Sequence, residues 1–446
     1  MLRCWKAILA GVLWATAVLA QQRHPLLHAG PMAGYTTMRE ACIWVQTTAP
    51  AQVQVAYWDS LIPQRRFWSQ PVQTSAQHAY VAHLLLDSLL PGRVYYYELW
   101  LNGEPVLLPY QPRFRTPPLW RWRGEPPTFR IALGSCAFIN DTVFDRPGPP
   151  YGGEYEIFES IARLQPDVML WLGDNVYLRE SDWDSRTGVL RRYSHDRALP
   201  QLQRLLATTT HYAIWDDHDY GPNDSDRSFV HKFTTLEAFR LFWCNPTMGI
   251  DGLPGITTAV SWGDVDLFLL DNRFWRTPNA LRSAERTILG EHQLRWLQEA
   301  LVSSRARFKL VVMGGQFLNP LPVFETYSNC APEERQRLLE WLQQQRIPGV
   351  LFVSGDRHFT ELSRLERPGT YPLYELTVSP LTSSPFAGAH TEANPLRVPG
   401  TVVVQRNFAV LEFAGPARER RVIIRVYSAQ GELLWERTLW ARELEP

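Results

Sequence analysis

HYAIWDDHDYGPND, residues 211–224, is the stretch on which the fold turns. A short run of apolar and aromatic residues reads as a buried strand, and it ends abruptly in three carboxylates grouped around a histidine. The same arrangement recurs along the chain. FRIAL runs into GSC, ending at Cys136, and DVMLWL runs into GDNVY, placing Asp174 and Tyr177 just past the strand. VDLFLL leads to Asp271–Arg273, and VLFVS leads into GDRH with Asp356 and His358. FKLVVM and LYELTV are further strand candidates, and NFAVLEF and RVIIRVYS close the chain. Between them lie helical stretches: EYEIFESIARLQ, PEERQRLLEWLQQQ, and EHQLRWLQEALVSS with Leu294, Leu297 and Leu301 on one face. Strands alternating with helices predict an α/β core. Ligands in such sheets bind beyond the carboxyl ends of the strands, the edge to which these strands deliver their polar residues.

Outward from this core the pattern changes. From Cys42 to Thr116 the chain reads as strands separated by Pro, Gly and Ser, including CIWVQT, QVQVAYW and RVYYYELWLNG. Strands at this spacing predict a small β-sandwich, placed at residues 26–118, with TPPLWRWRGEPP as linker and the α/β domain at 128–440. Residues 1–20 carry Arg3, Lys6 and an apolar run ending in small residues, which predicts a cleaved signal peptide and a periplasmic or secreted protein. No later apolar run approaches the roughly 20 residues a spanning helix needs. Lys plus Arg and Asp plus Glu are both 45, a balance that argues against a stable nucleic-acid complex. At 45% hydrophobic and 20% charged residues, disorder is excluded. Cys42, Cys136, Cys244 and Cys330 follow the signal. Export would permit disulfides, and Cys244 and Cys330 adjoin no acidic motif.

The DDHD cluster carries the chemistry. Adjacent carboxylates repel one another unless a cation neutralises them. Carboxylates, a phenol, a thiol and an imidazole at neighbouring strand ends form a mixed hard and soft donor set. It is too large for one ion, and a phenolate suits a trivalent cation. A polynuclear site of this kind is suited to clamping a phosphoryl group.

The ordered set GSC, GDNVY, WDDHD, LLDNR and GDRH resembles the PhoD-type alkaline phosphatase family, relatives of the calcineurin-like metallophosphoesterases. The N-terminal β segment resembles the fibronectin- or immunoglobulin-like domain that precedes that core. The resemblance implies a layered α/β/β/α sandwich. It also implies a metal set of Cys136, Asp174, Tyr177, Asp217, Asn223, Asp356 and His358, holding iron and calcium or other divalent ions. His218 falls where the family places the imidazole that contacts phosphate or protonates the leaving group. Two departures stand out. MLRCWK has no Arg pair, which points to a Sec-type signal where many members carry a twin-arginine one. The acidic cluster ends in Asp219 where Glu is more familiar.

The expected activity is hydrolysis of phosphate esters by a metal-bound hydroxide. Arg273 and Arg357 are expected to hold phosphate oxygens, and the loop from Asn140 to Gly153 is expected to cover the site. Two alternatives stay open. One is a phosphodiesterase acting on cell-wall, lipid or nucleic-acid diesters. The other is a non-catalytic cell-surface or carbohydrate-binding protein using Trp120 and Trp122 as stacking platforms.

Overall fold

The computed structural model describes residues 24–282 and 285–446. The expected signal peptide lies outside them. No helix of the described residues is long and apolar enough to cross a membrane.

The apolar runs become the centre of two mixed sheets. The first has six strands in the order Thr210–Ile214, Val168–Leu172, Phe129–Gly134, Asn407–Ala414, Arg421–Ser428 and Leu433–Trp440. Its first three strands run parallel and the rest antiparallel. The second has the order Thr258–Trp262, Val265–Leu269, Phe308–Val312, Val350–Ser354, Leu373–Thr377 and Glu361–Leu365. Four central strands are parallel and both edges antiparallel. Parallel strands buried on both faces read as continuous apolar runs, and VMLWL and VLFVS are buried at every position. Phe308 of one sheet meets Phe413 of the other, ring centroids 5.2 Å apart, inside one continuous core.

Helices complete the layers. Gly290–Ser303 buries Leu294, Leu297 and Leu301, and Pro332–Gln344 buries Leu338 and Leu342, so each presents one apolar stripe. The layered α/β/β/α expectation therefore describes the architecture. Several strands escaped the sequence reading: Thr258–Trp262 and Glu361–Leu365 at the edges of the second sheet, and Leu433–Trp440 at the edge of the first. Edge strands exposed on one side carry mixed residues and give weak period-two signals.

Before this sandwich, residues 27–115 form two smaller sheets. One comprises Leu27–Thr36, Ala41–Thr47 and Val81–Leu86. The other is built on Gln52–Asp59 paired with Val94–Leu101. Strand periodicity divides their side chains. Ile43 and Val45 enter a local core with Val53, Val55, Tyr97 and Leu99. Cys42 and Trp44, pointing the other way, join the large core of the α/β region. Trp44 Nε1 donates to the Leu241 carbonyl at 2.8 Å.

Candidate active site

The parallel strands of both sheets end at one pocket. The first sheet delivers Ser135 and Cys136, then Asp174 and Tyr177, then Asp216, Asp217 and His218. The second delivers Asn272, Gly314, Asp356, His358 and Ser379. At these ends the backbone turns sharply. Cys136, Asp174, Asp356 and His358 all hold positive φ, at 59°, 51°, 66° and 55°. Non-glycine residues rarely adopt this region, which costs of order 1–3 kcal/mol each and concentrates at functional sites.

Cys136 Sγ is 3.7 Å from Asp174 Oδ2 and accepts from Ser379 Oγ at 3.1 Å. Tyr177 OH lies 3.3 Å from Asp174 Oδ2 and 3.2 Å from His358 Nε2. The Tyr177 ring stacks on His218 with centroids 4.4 Å apart. One ligand atom each of Asp174, Asp217 and His218 lies within 4.8 Å of the others, and the same holds for Asp216, Asp217 and Glu325. Asp217 belongs to both groups. It also accepts the Asp224 backbone N–H at 2.8 Å.

The two groups differ in counter-charge. Arg273, wholly buried, pairs with Asp216 and Glu325 and lies 3.7 Å from Asp217. Burial nonetheless pushes the Asp216 carboxyl up to about 6, against the pull of Arg273. On the other side of Asp217, burial raises the Cys136 thiol, Asp174, Tyr177 and Asp356, and neighbouring anions raise them further. Burial pushes His358 down to about 4. For Asp217 burial acts upward, but His218, Arg273 and the Asp224 N–H outweigh it. This half of the pocket thus gathers acidic groups that low polarity drives toward their neutral forms. A bound cation reverses that balance, and thiol, carboxyl, phenol and imidazole are the donors it would find. The residues present fit a metal centre.

Other expected residues fall elsewhere. Arg273 was expected to grip phosphate, but its guanidinium is spent on buried carboxylates. Arg357 is also buried, donating to Gln316 Oε1 and Glu392 Oε2 at 2.6 Å each. Asn223 is exposed on the loop after the DDHD turn, and its neighbour Asp224 makes the contact to the cluster. Asp219 turns to the backbone, accepting the N–H groups of Asn175, Val176 and Asp216. Asp216 is the N-cap of this short turn and Asp219 its N3 residue, the two forming a capping box.

Four contributors were missed. Glu325 comes from an irregular loop with no apolar strand before it. Ser379 and Ser383 follow LYELTV, so the strand-end rule applied elsewhere would have found them. Tyr151, in the loop 140–153, places its hydroxyl 3.1 Å from His358 Nδ1, so that loop does reach the site. Trp122 is exposed, whereas Trp44, Trp171, Trp215, Trp243 and Trp262 are core residues.

A family model described as PhoD-like phosphatase matches residues 131–415, more than half the chain. The chain belongs to the PhoD-like phosphatase family. Residues 24–119 match a second model, a domain of unknown function (DUF7800). The alkaline phosphatase D of Bacillus subtilis (strain 168) is 23% identical over 359 residues, covering 70% of this chain and 58% of that protein. The aligned part thus spans less than two thirds of the relative. A solved structure of PhoD superposes with a TM-score of 0.75 at 16% identity, covering 93% of this chain and 92% of the other. A purple acid phosphatase, PPD1 from yellow lupin (Lupinus luteus) seeds, gives 0.66 at 12% identity, covering 93% and 76%. The PhoD-like fold thus extends over the N-terminal sheets as well as the phosphatase region.

Proposed function

We propose that this chain is an exported, metal-dependent hydrolase of phosphate esters. The observation that carries the reading is the convergence of strand ends from both sheets on a buried donor set rich in acidic groups. Cys136, Asp174, Tyr177, Asp217, Asp356 and His358 would hold the cations, iron and calcium by likeness to the family. Bound there, they would activate the attacking water and neutralise charge developing on the phosphoryl oxygens.

The protein's own groups do the rest. His218 stands at the pocket mouth with its side chain a quarter exposed and Nε2 4.0 Å from Asp217 Oδ2. Held by the Tyr177 ring, Nε2 is placed to deliver a proton to the leaving oxygen. Arg273 fixes Asp216 and, through it, the turn that carries Asp217. Tyr151, half-exposed and bonded to His358, borders the site on the side of the 140–153 loop.

Metal analysis of the purified protein, with paired assays on an aryl phosphate monoester and the matching diester, tests this reading. Hydrolysis that disappears on chelation and returns with added metal is the expected result. Hydrolysis of neither ester by metal-loaded protein would overturn it. The ratio of the two rates decides between phosphatase and phosphodiesterase.

A further inference from the structure

The face of the N-terminal sheet turned toward the phosphatase region carries a second cluster of metal-binding residue types, remote in sequence from the pocket motifs. Cys42 lies on the strand Ala41–Thr47 and His83 on its partner Val81–Leu86. Trp44 pairs with His83 and Cys42 with Leu85, so Cys42 and His83 are diagonal neighbours on one face. Cys244 arrives from the phosphatase region, two residues after the helix Lys232–Phe242. Both sulfurs and a ring nitrogen of His83 lie within 4.8 Å of one another.

We propose that Cys42, His83 and Cys244 form a metal site for a thiophilic divalent cation of the zinc class, tying the N-terminal sheet to the phosphatase region. Tetrahedral zinc, with bonds of about 2.3 Å to sulfur and 2.0 Å to nitrogen, separates its ligands by roughly 3.5–3.8 Å. The three donors need close by only about an ångström to meet that. Their surroundings are also arranged for it. His83 Nε2 lies 2.9 Å from the Leu241 carbonyl, which can only accept, so the proton sits on Nε2 and Nδ1 carries the lone pair. A ligating histidine usually has its other nitrogen fixed in this way. Gly34 leaves room for Cys244, because a Cβ there would collide with the Cys244 side chain. A disulfide between Cys42 and Cys244 is the competing use of these sulfurs, and it gives the oriented imidazole no part.

The test uses the full chain, isolated without reductant and with its catalytic metals in place. Zinc content and the near-ultraviolet sulfur-to-cobalt charge-transfer band after cobalt loading are compared with Cys244→Ser and His83→Asn. The wild type is expected to hold one more zinc per chain than either variant. The variants should lose the part of the cobalt band not due to Cys136. His83 is exposed, so His83→Asn carries the comparison if Cys244→Ser fails to fold. Equal zinc in wild-type protein and His83→Asn would overturn the proposal. So would peptide mapping that finds a Cys42–Cys244 disulfide in the isolated protein.

Discussion

Replacing Arg273 by Met tests whether this side chain is a structural cation or a phosphate ligand. The guanidinium is fully buried, with Nε 2.5 Å from Asp216 Oδ1 and NH2 against both Asp216 and Glu325. Met fills similar space without charge. Glu325 would keep Arg276 and the Asn279 amide at 2.9 Å. Asp216 would keep neutral donors such as the Asn272 amide but no cation, and its other oxygen already has no hydrogen-bond partner among the described residues. The loss therefore falls mainly on Asp216. Removing one partner of a buried pair costs about 3–5 kcal/mol because the remaining charge is stranded. At roughly 2 °C per kcal/mol for a large domain, Tm should fall by about 6–10 °C. Adding Asp216→Asn removes the stranded charge, so the double variant should recover part of the loss, with a coupling of about 1–3 kcal/mol. Calorimetry and denaturant titration of the four proteins measure this. A phosphate ligand would behave differently, raising KM for the ester with little change in Tm. That outcome, or a stability loss below about 1 kcal/mol, would refute the assignment.

Three further outcomes are expected. Chelating the metals should abolish ester hydrolysis and lower Tm together, and Asp217→Asn should reproduce most of the activity loss while circular dichroism shows the β-rich N-terminal region still folded. Gly314→Ala should cripple activity, because a Cβ there would overlap Asn272 and Asp216; steady-state kinetics beside Gly124→Ala, where nothing lies within 4 Å, checks it. His211 is wholly buried, accepts from Trp171 Nε1 at 2.9 Å, and is pushed down from 6.5 to about 3 by burial. Below pH 6.5 the unfolded chain gains a proton there that the folded chain lacks, so stability should fall with falling pH by about 1.4 kcal/mol per unit. His211→Gln should flatten that slope between pH 6 and about 4 in urea titrations, and an unchanged slope would show that His211 does not cause it.

The pocket was legible where a long apolar strand announced it. Cys136, Asp174, Asp217, Asp356 and His358 share that signal, and all reach the same place. The partners of the arginines were not legible because sequence shows what adjoins a charge and not what it will face. Arg273 sits beside Asp271 in the chain, yet Asp271 caps the turn by accepting the N–H groups of Arg273 and Phe274. Its ionic partners come from 57 and 52 residues away. Glu325 was invisible for the same reason, since its loop has no periodicity to place it. Cys244 was set with Cys330 on grounds of elimination. Folding puts Cys244 beside Cys42, while Cys330 Sγ lies 3.1 Å from Arg276. Of the N-terminal sheets, the interior strands were readable, whereas Leu27–Thr36 contains two glycines and a proline that disguise it.

Because the donors are shared between two sheets, the pocket works as a vernier for the sandwich. Cys136, Asp174 and Asp217 are fixed to one scale, and Asp356 and His358 to the other. A slide of one sheet along the other by a fraction of a residue would leave each sheet's own ladder of hydrogen bonds intact. It would nonetheless misalign the two halves of the donor set. Substitutions between the sheets, such as at the fully buried Phe308 or Phe413, should therefore lower turnover as well as global stability. A chimaera that borrows one sheet from a relative would need to inherit the axial offset of its strand ends as well as its residues.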